Sequence, residues 1–257
     1  MVDKIHIMGI VNLTPDSFYA GSRVQADVAL DRMRSMLEEG ADVIDLGACS
    51  TRPGSPQPSL HEEWSRLEPV LHQLNNLSIS IDTYRSEIVR RAYDIIGSFM
   101  VNDVSGGELD PMMLRTVGEL GLPYVAMCPS CASTEEVIDW FREFSVKAQD
   151  NGIEEWILDP GFGFGKTVDQ NYELLERLDE VVKAFPEREM LVGVSRKSMI
   201  YKKLGITPDE AMPATQVVQF AALEKGATWL RVHDVAAAMH TARLYSTIYT
   251  SSPGAAK

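Results

Sequence analysis

Cysteine, long apolar runs and positive charge are all scarce in this sequence, and each shortage excludes a class of protein. The three cysteines, Cys49, Cys128 and Cys131, are too few for the disulfide framework of a small secreted protein. No apolar run approaches the roughly 18 residues of a membrane span, and the N-terminus lacks signal-peptide features. Lys and Arg number 24 against 37 Asp and Glu, which argues against nucleic acid or an anionic membrane as partner. We therefore expect a cytoplasmic protein with no nucleic-acid and no membrane partner.

What the sequence does contain is a regular alternation of short apolar runs and amphipathic segments. The apolar runs are 5–11, 43–46, 78–81, 99–101, 123–127, 156–158, 190–194 and 229–232. Apolar strands joined by crossover helices are typical of a parallel sheet buried on both faces. The length of 257 residues is also close to one (β/α)8 barrel. We predict an α/β fold, an eight-stranded parallel TIM barrel over residues 1–250 with a tail at 251–257; a doubly wound open sheet is the alternative.

Capping patterns predict where several helices begin and end. A Ser or Thr is followed three residues later by Glu or Gln at 59–62, 133–136 and 167–170, which is the pattern of a helix N-terminus. Asp110 and Pro111 predict the N-cap and the first residue of a further helix, and Gly121 predicts its end. These signals separate the apolar runs as a barrel requires.

In a parallel barrel the loops that follow the strands form the active face. Asp82, Asn102 and Asp159 stand at the ends of three apolar runs. Their carboxylate and amide groups offer donors and acceptors to a planar heterocycle with N–H and C=O edges. The alternative is that each of them only caps the helix that follows it. All three together favour a ligand site.

The cationic side chains of this face are Arg52, Lys197, Arg231 and His233. The arginine fork matches phosphate oxygens bidentately, and Arg231 and His233 both end the last strand, where barrels often bind phosphate. A solvated arginine, or a histidine that donates to a backbone carbonyl, is the alternative. We find no Ser–His–Asp or Cys–His pattern that predicts a nucleophile.

A glycine-rich loop follows Asp159, and its register excludes nucleotide-binding motifs. A P-loop requires glycine where Pro160 stands, and the dinucleotide pattern requires glycine where Lys166 stands. The glycines therefore predict a tight turn that makes room for a ligand. Lys166 is expected at the start of the next helix or on the surface.

Cys128 and Cys131 form a C-x-x-C pair without a second pair of metal ligands at suitable spacing. The surrounding sequence also lacks the context of a thioredoxin-like site. We expect two unpaired thiols.

Several loop segments resemble the characteristic motifs of the dihydropteroate synthase family, in the family's order over almost the whole chain. They are GIVNLTPDSF at 9–18, STRPG at 50–54, IDT at 81–83, VNDVSGG at 101–107, DPGFG at 159–163, SRKS at 195–198 and RVHDV at 231–235. Together these motifs are far more specific than any one of them. The resemblance implies a transferase barrel that joins a dihydropterin-methyl diphosphate to 4-aminobenzoate and gives dihydropteroate and pyrophosphate.

The resemblance also implies roles for individual side chains. Those expected to line the pterin slot are Asp82, Asn102, Asp159 and Lys197. Thr51 would contact the pterin diphosphate substrate, and those expected to hold its diphosphate are Arg52, Arg231 and His233. Ser195, Arg52 and Pro53 would border the 4-aminobenzoate site. Arg52, Lys197 and Asp82 are the expected catalytic residues, Asn12 would help hold Mg²⁺, and we expect a homodimer.

Two departures from the family pattern bear on loop geometry. The segment 47–49 reads Gly-Ala-Cys where Gly-Gly-Glu is common, and Cys128 follows Met127 where a histidine is common. A methyltetrahydrofolate-binding methyltransferase barrel shares the pterin slot but has no use for a diphosphate clamp. A non-catalytic pterin-binding protein is the other alternative, and it would tolerate loss of Asn12 or Arg52, both of which are present.

Overall fold

The computed structural model of the chain describes residues 4–13, 22–49, 57–74 and 77–250. Within these ranges eight β-strands alternate with ten α-helices. The strands are β1 His6–Asn12, β2 Val43–Gly47, β3 Ile79–Asp82, β4 Met100–Asp103, β5 Tyr124–Met127, β6 Trp156–Asp159, β7 Leu191–Val192 and β8 Trp229–Val232. The helices are α1 Ser22–Glu39, α2 Leu60–Leu71, α3 Ser86–Ile96, α4 Met113–Leu120, α5 Thr134–Asp150, α6 Val168–Glu176, α7 Leu178–Ala184, α8 Ser198–Leu204, α9 Met212–Glu224 and α10 Val235–Thr250.

The strands form one parallel sheet that closes on itself. Their order is β6-β5-β4-β3-β2-β1-β8-β7, so each strand lies beside its sequence neighbour and β1 pairs with β8. The remaining seam, between β6 and β7, is joined by a parallel bridge from Leu158 to Met190. The Leu158 amide also donates to the Glu189 carbonyl at 2.9 Å. The predicted eight-stranded barrel is confirmed, and the open sheet is excluded.

The barrel interior has an apolar layer with a polar layer above it. Met8, Val125, Ile157, Leu191 and Trp229 form a small buried cluster separate from the main core between strands and helices. Side chains of a strand alternate between faces, so the residue two positions further along points to the same side. Two positions on from Val43, Met100, Ile157 and Trp229 stand Asp45, Asn102, Asp159 and Arg231, and Asp82 lies beside Asn102 in the ladder. We call Asp45, Asp82, Asn102, Asp159 and Arg231 the polar layer.

Most strands end at least one residue later in the chain than the apolar runs predicted. Asn12, Asp82 and Asp159 are the last residues of β1, β3 and β6 rather than the first residues of loops. Their backbones are therefore held by the ladder; Asp82, for example, pairs with Asn102 across β3 and β4. A polar side chain ends an apolar run without ending the strand, because the ladder is made by the backbone.

Three of the predicted helix caps are confirmed and one is wrong. Ser59, Ser133 and Thr167 each accept a hydrogen bond from the backbone N–H three residues on. The helix predicted to begin at Asp110 begins instead at Met113, although Gly121 ends it in the left-handed conformation as expected. The Asp110 carboxylate accepts from the amides of both Met112 and Ser86, so it caps the start of α3 across space as well.

No helix in the described ranges is long and apolar enough to span a membrane. The predicted tail at 251–257 lies outside the described residues, so that boundary stays a prediction.

Candidate active site

Arg231 lies at the centre of the polar layer, paired with two carboxylates. Its Nε donates to Asp45 Oδ2 at 2.7 Å, and its Nη2 donates to Asp82 Oδ2 at 2.8 Å. The sequence predicts that Arg231 and His233 both bind the diphosphate. In the structure the guanidinium lies among the residues predicted for the pterin slot, so its removal would leave two buried carboxylates without their cation.

Asp45 joins this group from the middle of β2, and the sequence motifs did not reveal it. Its side chain is fully buried, and Oδ2 also accepts from Asn102 Nδ2 at 3.0 Å. A signal was available, since a carboxylate inside an otherwise apolar strand is costly to bury without a partner. The partners, however, lie on β4 and β8, far away along the chain.

Asp82 is almost fully buried beside other acids. Burial raises the pKa of its carboxyl to about 7, and the charges of Asp45 and Asp103 add to this effect while Arg231 opposes it. Asp82 therefore changes its charge near neutral pH, as a group that meets a ligand in a water-poor slot is expected to do.

Asp159 ends β6 and is held by the glycine-rich turn. Its Oδ1 accepts from the Gly161 amide at 2.9 Å. Burial raises the pKa of this carboxyl, against the opposing charge of Lys197 and the Gly161 hydrogen bond. Gly161 has φ +72°, and a Cβ there would lie 2.2 Å from the Cys128 carbonyl oxygen. The predicted tight turn is confirmed, because only glycine fits this backbone and this approach.

Lys197 reaches over the same turn from the N-terminus of α8. Its ammonium donates to the Phe162 carbonyl and lies 4.7 Å from the centre of the Phe164 ring. Burial lowers the pKa of Lys197 to about 8, although the charge of Asp159 opposes the shift. The slot thus combines acceptors on β3, β4 and β6 with the cationic donor of Lys197, which suits a ring that has both N–H and C=O edges.

Ser195 and His233 meet beside this slot. Ser195 Oγ is 3.0 Å from His233 Nδ1, and the His233 amide donates to the same oxygen at 3.2 Å. No sequence pattern predicted this Ser–His contact. It is not a nucleophilic triad of the usual kind, because Asp234 is engaged in a two-pronged ion pair by Arg196, at 2.9 and 2.7 Å.

Arg196 also shapes the turn between Ser195 and Lys197, which are both predicted site residues. It has φ +52°, an unusual conformation for a residue with a side chain. The ion pair with Asp234 and the donation of its amide to Thr215 Oγ1 at 3.2 Å hold this turn. Such conformations are common at functional sites, and nothing in the local sequence marks them.

One prediction about this face is wrong and another holds in part. Lys166 directly precedes the N-cap Thr167 of α6, as predicted, but it is half-buried: its ammonium turns back to the carbonyls of Gly161 and Phe164, and burial lowers its pKa to about 8. Cys128 and Cys131 are joined in a disulfide, not free. The turn after β5 brings their Cα atoms to 6.2 Å, within the range that a disulfide spans.

Beside the segment 47–49, a buried acid on α2 pairs with an arginine. Glu63 is fully buried, forms an ion pair with Arg85 and accepts from Thr83 Oγ1 at 2.6 Å. Cys49 is a buried free thiol near this pair, and burial raises its pKa. Arg85 also donates to the Pro58 carbonyl at 2.6 Å, so the pair ties α2 and the start of α3 together.

Thr51, Arg52 and Pro53 lie outside the described residues, so their predicted roles stay predictions. Asn12 lies next to Gly47 in the β1–β2 ladder, and a Cβ on Gly47 would be 3.4 Å from Asn12 Oδ1. In the described part of the chain, no group of three or more His, Cys, Asp or Glu side chains could hold a metal. Magnesium is often bound by one or two protein oxygens together with substrate phosphates. The Asn12 side-chain oxygen therefore fits Mg²⁺ only when phosphate oxygens of the substrate complete the coordination.

Comparison with known proteins agrees with this geometry. The family model described as pterin binding enzyme matches residues 8–233. Dihydropteroate synthase of Staphylococcus haemolyticus is 38% identical over 245 residues, which cover 90% of each chain. The mitochondrial folate synthesis bifunctional protein of Arabidopsis thaliana is also 38% identical, but the chain spans only 48% of its length.

Solved structures of the same family superpose on the whole barrel. A dihydropteroate synthase from Clostridium difficile, crystallised with pteroic acid, has a TM-score of 0.90 at 35% identity and covers 96% of this chain and 98% of its own. The Xanthomonas albilineans dihydropteroate synthase with 4-aminobenzoic acid has a TM-score of 0.90 at 33% identity, covering 98% and 95%. With motifs, fold and polar layer in agreement, the chain belongs to the dihydropteroate synthase family of pterin-binding enzymes.

Proposed function

We propose that this chain condenses a (7,8-dihydropterin-6-yl)methyl diphosphate with 4-aminobenzoate to give 7,8-dihydropteroate and pyrophosphate. One observation carries the proposal: the polar layer sets the acceptors Asp82, Asn102 and Asp159 above an apolar floor, with the Lys197 ammonium beside Asp159. A pterin ring has amino and N–H donors on one edge and a carbonyl oxygen that an ammonium can hold. The layer therefore matches the ring by both shape and polarity.

In the proposed reaction the side chains bind and orient rather than attack. The 4-aminobenzoate nitrogen, neutral at pH 7, attacks the pterin methylene carbon. The C–O bond to diphosphate breaks with its electron pair on oxygen, and the amine proton passes to water. The electron-rich pterin stabilises positive charge at the methylene, so we propose a dissociative path. Arg52, Lys197 and Asp82 stay our catalytic candidates, with Lys197 and Asp82 holding the ring.

We assign the binding of the diphosphate to Arg52 and His233, with Thr51 on the same substrate and Ser195 towards the 4-aminobenzoate, as the family motifs imply. A bound Mg²⁺ would neutralise charge on the leaving diphosphate. The Asn12 oxygen would hold the ion together with phosphate oxygens. Arg231 reaches this region from the slot side, where it already neutralises Asp45 and Asp82.

The decisive experiment incubates the purified chain with the pterin diphosphate and 4-aminobenzoate, with and without Mg²⁺, and follows pyrophosphate and dihydropteroate. We expect product from the wild type in the presence of Mg²⁺ and none from Asp159→Asn, which keeps the shape of the side chain but loses its charge. Pterin binding without product would instead support a non-catalytic pterin-binding protein. Methyl transfer from methyltetrahydrofolate would support the methyltransferase alternative.

We also propose that the enzyme is a cytoplasmic homodimer joined through α9 and α10. The two helices pack together, with the Phe220 and Tyr245 rings 5.7 Å apart. Beside this contact Val217 and Leu244 are 71% and 62% exposed. Large apolar side chains exposed on neighbouring helices are typical of a surface that another chain covers.

A further inference from the structure

The side-chain amide of Asn102 has its donor end occupied inside the protein. An asparagine amide has a donor end, Nδ2, and an acceptor end, Oδ1, and the hydrogen-bond network decides which way it faces. In this structure Nδ2 donates to Asp45 Oδ2 at 3.0 Å. Asp45 holds one of the two Nδ2 hydrogens, so the carbonyl end is turned away from Asp45 and is left for a ligand.

Asp45 can hold this orientation because it is itself held from another direction. The same Oδ2 accepts from Arg231 Nε at 2.7 Å. The carboxylate also lies in the central part of β2, with the backbone pairing with Ile10 on one side and Ser80 on the other. A carboxylate is an acceptor only, so it cannot pair with the carbonyl end of Asn102.

The other oxygen of Asp45 argues against a purely stabilising role. Asp45 Oδ1 is buried and has no hydrogen-bond partner in the part of the chain that the structure describes. An unsatisfied buried oxygen is unfavourable, so fold stability does not explain a carboxylate at this position. The contacts of Oδ2 with Asn102 and Arg231 do explain it, because they fix the direction in which the Asn102 amide faces.

We propose that Asp45 is a positioning residue that turns the carbonyl of Asn102 towards the ligand and so makes the slot selective for ring edges rich in N–H donors. With Asn102 fixed in this sense, Asp82, Asn102 and Asp159 all present acceptors. The inference rests on the proposed function, since it assumes that a pterin occupies the slot. Asp45 itself need not touch the ligand.

The test compares two pteridines that differ in one group. Pterin has an amino group at the position where lumazine has an oxo group. Pterin therefore presents a donor to the acceptors of the slot, whereas lumazine presents another acceptor. We expect the wild type to bind pterin more tightly than lumazine by about a hundredfold or more. In Asp45→Leu position 45 no longer accepts from Asn102, so that amide can face either way, and the ratio of pterin to lumazine affinity should fall about tenfold.

The ratio of the two affinities isolates the effect, because a merely structural defect would weaken both ligands by the same factor. Ser80→Ala is the matched control, since Ser80 is equally buried and pairs with Asp45 in the ladder. Its ratio should equal that of the wild type. Because the effect acts through Asn102, adding Asp45→Leu to Asn102→Ala should leave the ratio of the Asn102→Ala variant unchanged.

A folded Asp45→Leu variant with the wild-type ratio would overturn the proposal and leave the proposed function standing. A wild-type chain that binds neither pteridine would overturn both. If Asp45→Leu does not fold, exchange of the Asn102 side-chain amide hydrogens in the wild type decides the matter. Donation to Asp45 requires that one of the two hydrogens stays protected with and without pterin; exchange of both as fast as in exposed asparagines would overturn the proposal.

Discussion

Among single residues, Lys197 and Asp82 have pKa values that are moved towards neutrality. Lys197 is the clearest case, because burial lowers its pKa to about 8 while Asp159 keeps it from falling further. Asp82 is shifted the other way, to about 7. Above its pKa Lys197 loses the charge of its donor, whereas the raised pKa of Asp82 means that this carboxylate loses its charge as the pH falls.

Pterin binding should weaken at alkaline pH because of Lys197. If only the ammonium form holds the pterin carbonyl, the fraction of competent protein falls as pH rises through the pKa of about 8. Raising the pH from 7 to 9 should therefore raise the Kd for pterin about tenfold. The measurement is calorimetric titration at both values, with Lys197→Met as control for the ionisation of pterin itself. An equally steep change in Lys197→Met would contradict the role of Lys197.

Among the structural elements, the glycine-rich turn after β6 determines where Lys197 can lie. Gly163 has φ +82°, and a Cβ there would be 2.9 Å from Lys197 Cδ. The turn is further held by donation of the Gly163 amide to Asn171 Oδ1 at 2.7 Å. An added methyl group must therefore displace the lysine rather than the turn.

Gly163→Ala should weaken pterin binding about tenfold or more, because the charge-assisted contact of Lys197 is lost. It should also lower the free energy of unfolding by about 1–3 kcal/mol for its positive φ. Gly205→Ala is the control, since Gly205 shares a positive φ of +67° but a Cβ added there would have no neighbour within 4 Å. Urea unfolding should show similar losses in both variants, and only Gly163→Ala should lose affinity. Equal pterin affinity in the two would contradict this account.

In the molecule as a whole, the barrel separates its active face from the proposed subunit contact. The polar layer lies inside the ring of strands, whereas Val217 and Leu244 lie on the outer surface of α9 and α10. The contact can therefore be disrupted without a change to the slot.

Val217→Lys combined with Leu244→Lys should convert a dimer into a monomer, because burying two lysines in an apolar contact is strongly unfavourable. Sedimentation velocity measures the change directly. Val146→Lys is the control, since Val146 is 58% exposed on α5, away from both helices. A wild-type monomer, or a dimer that survives the double substitution, would contradict the proposed contact.

Local sequence patterns were enough to predict the barrel, the strand ends that carry the site and the tight turn after Asp159. These features depend on information that is close together in the chain. Alternation of apolar runs reveals strands, a glycine register excludes nucleotide motifs, and Ser59 or Thr167 marks a helix start through residues only three positions away.

The pairing of the polar side chains, in contrast, depends on tertiary structure. Arg231 and Asp45 are 186 positions apart. They meet because their side chains point into the barrel from β8 and β2 at the same height. The same holds for the Asp45–Asn102 contact, for Lys166 turning back over its own loop and for the closing bridge at Leu158. Local pattern reports that a residue is polar or apolar, but which partner faces it across a closed barrel is set by strand register and closure.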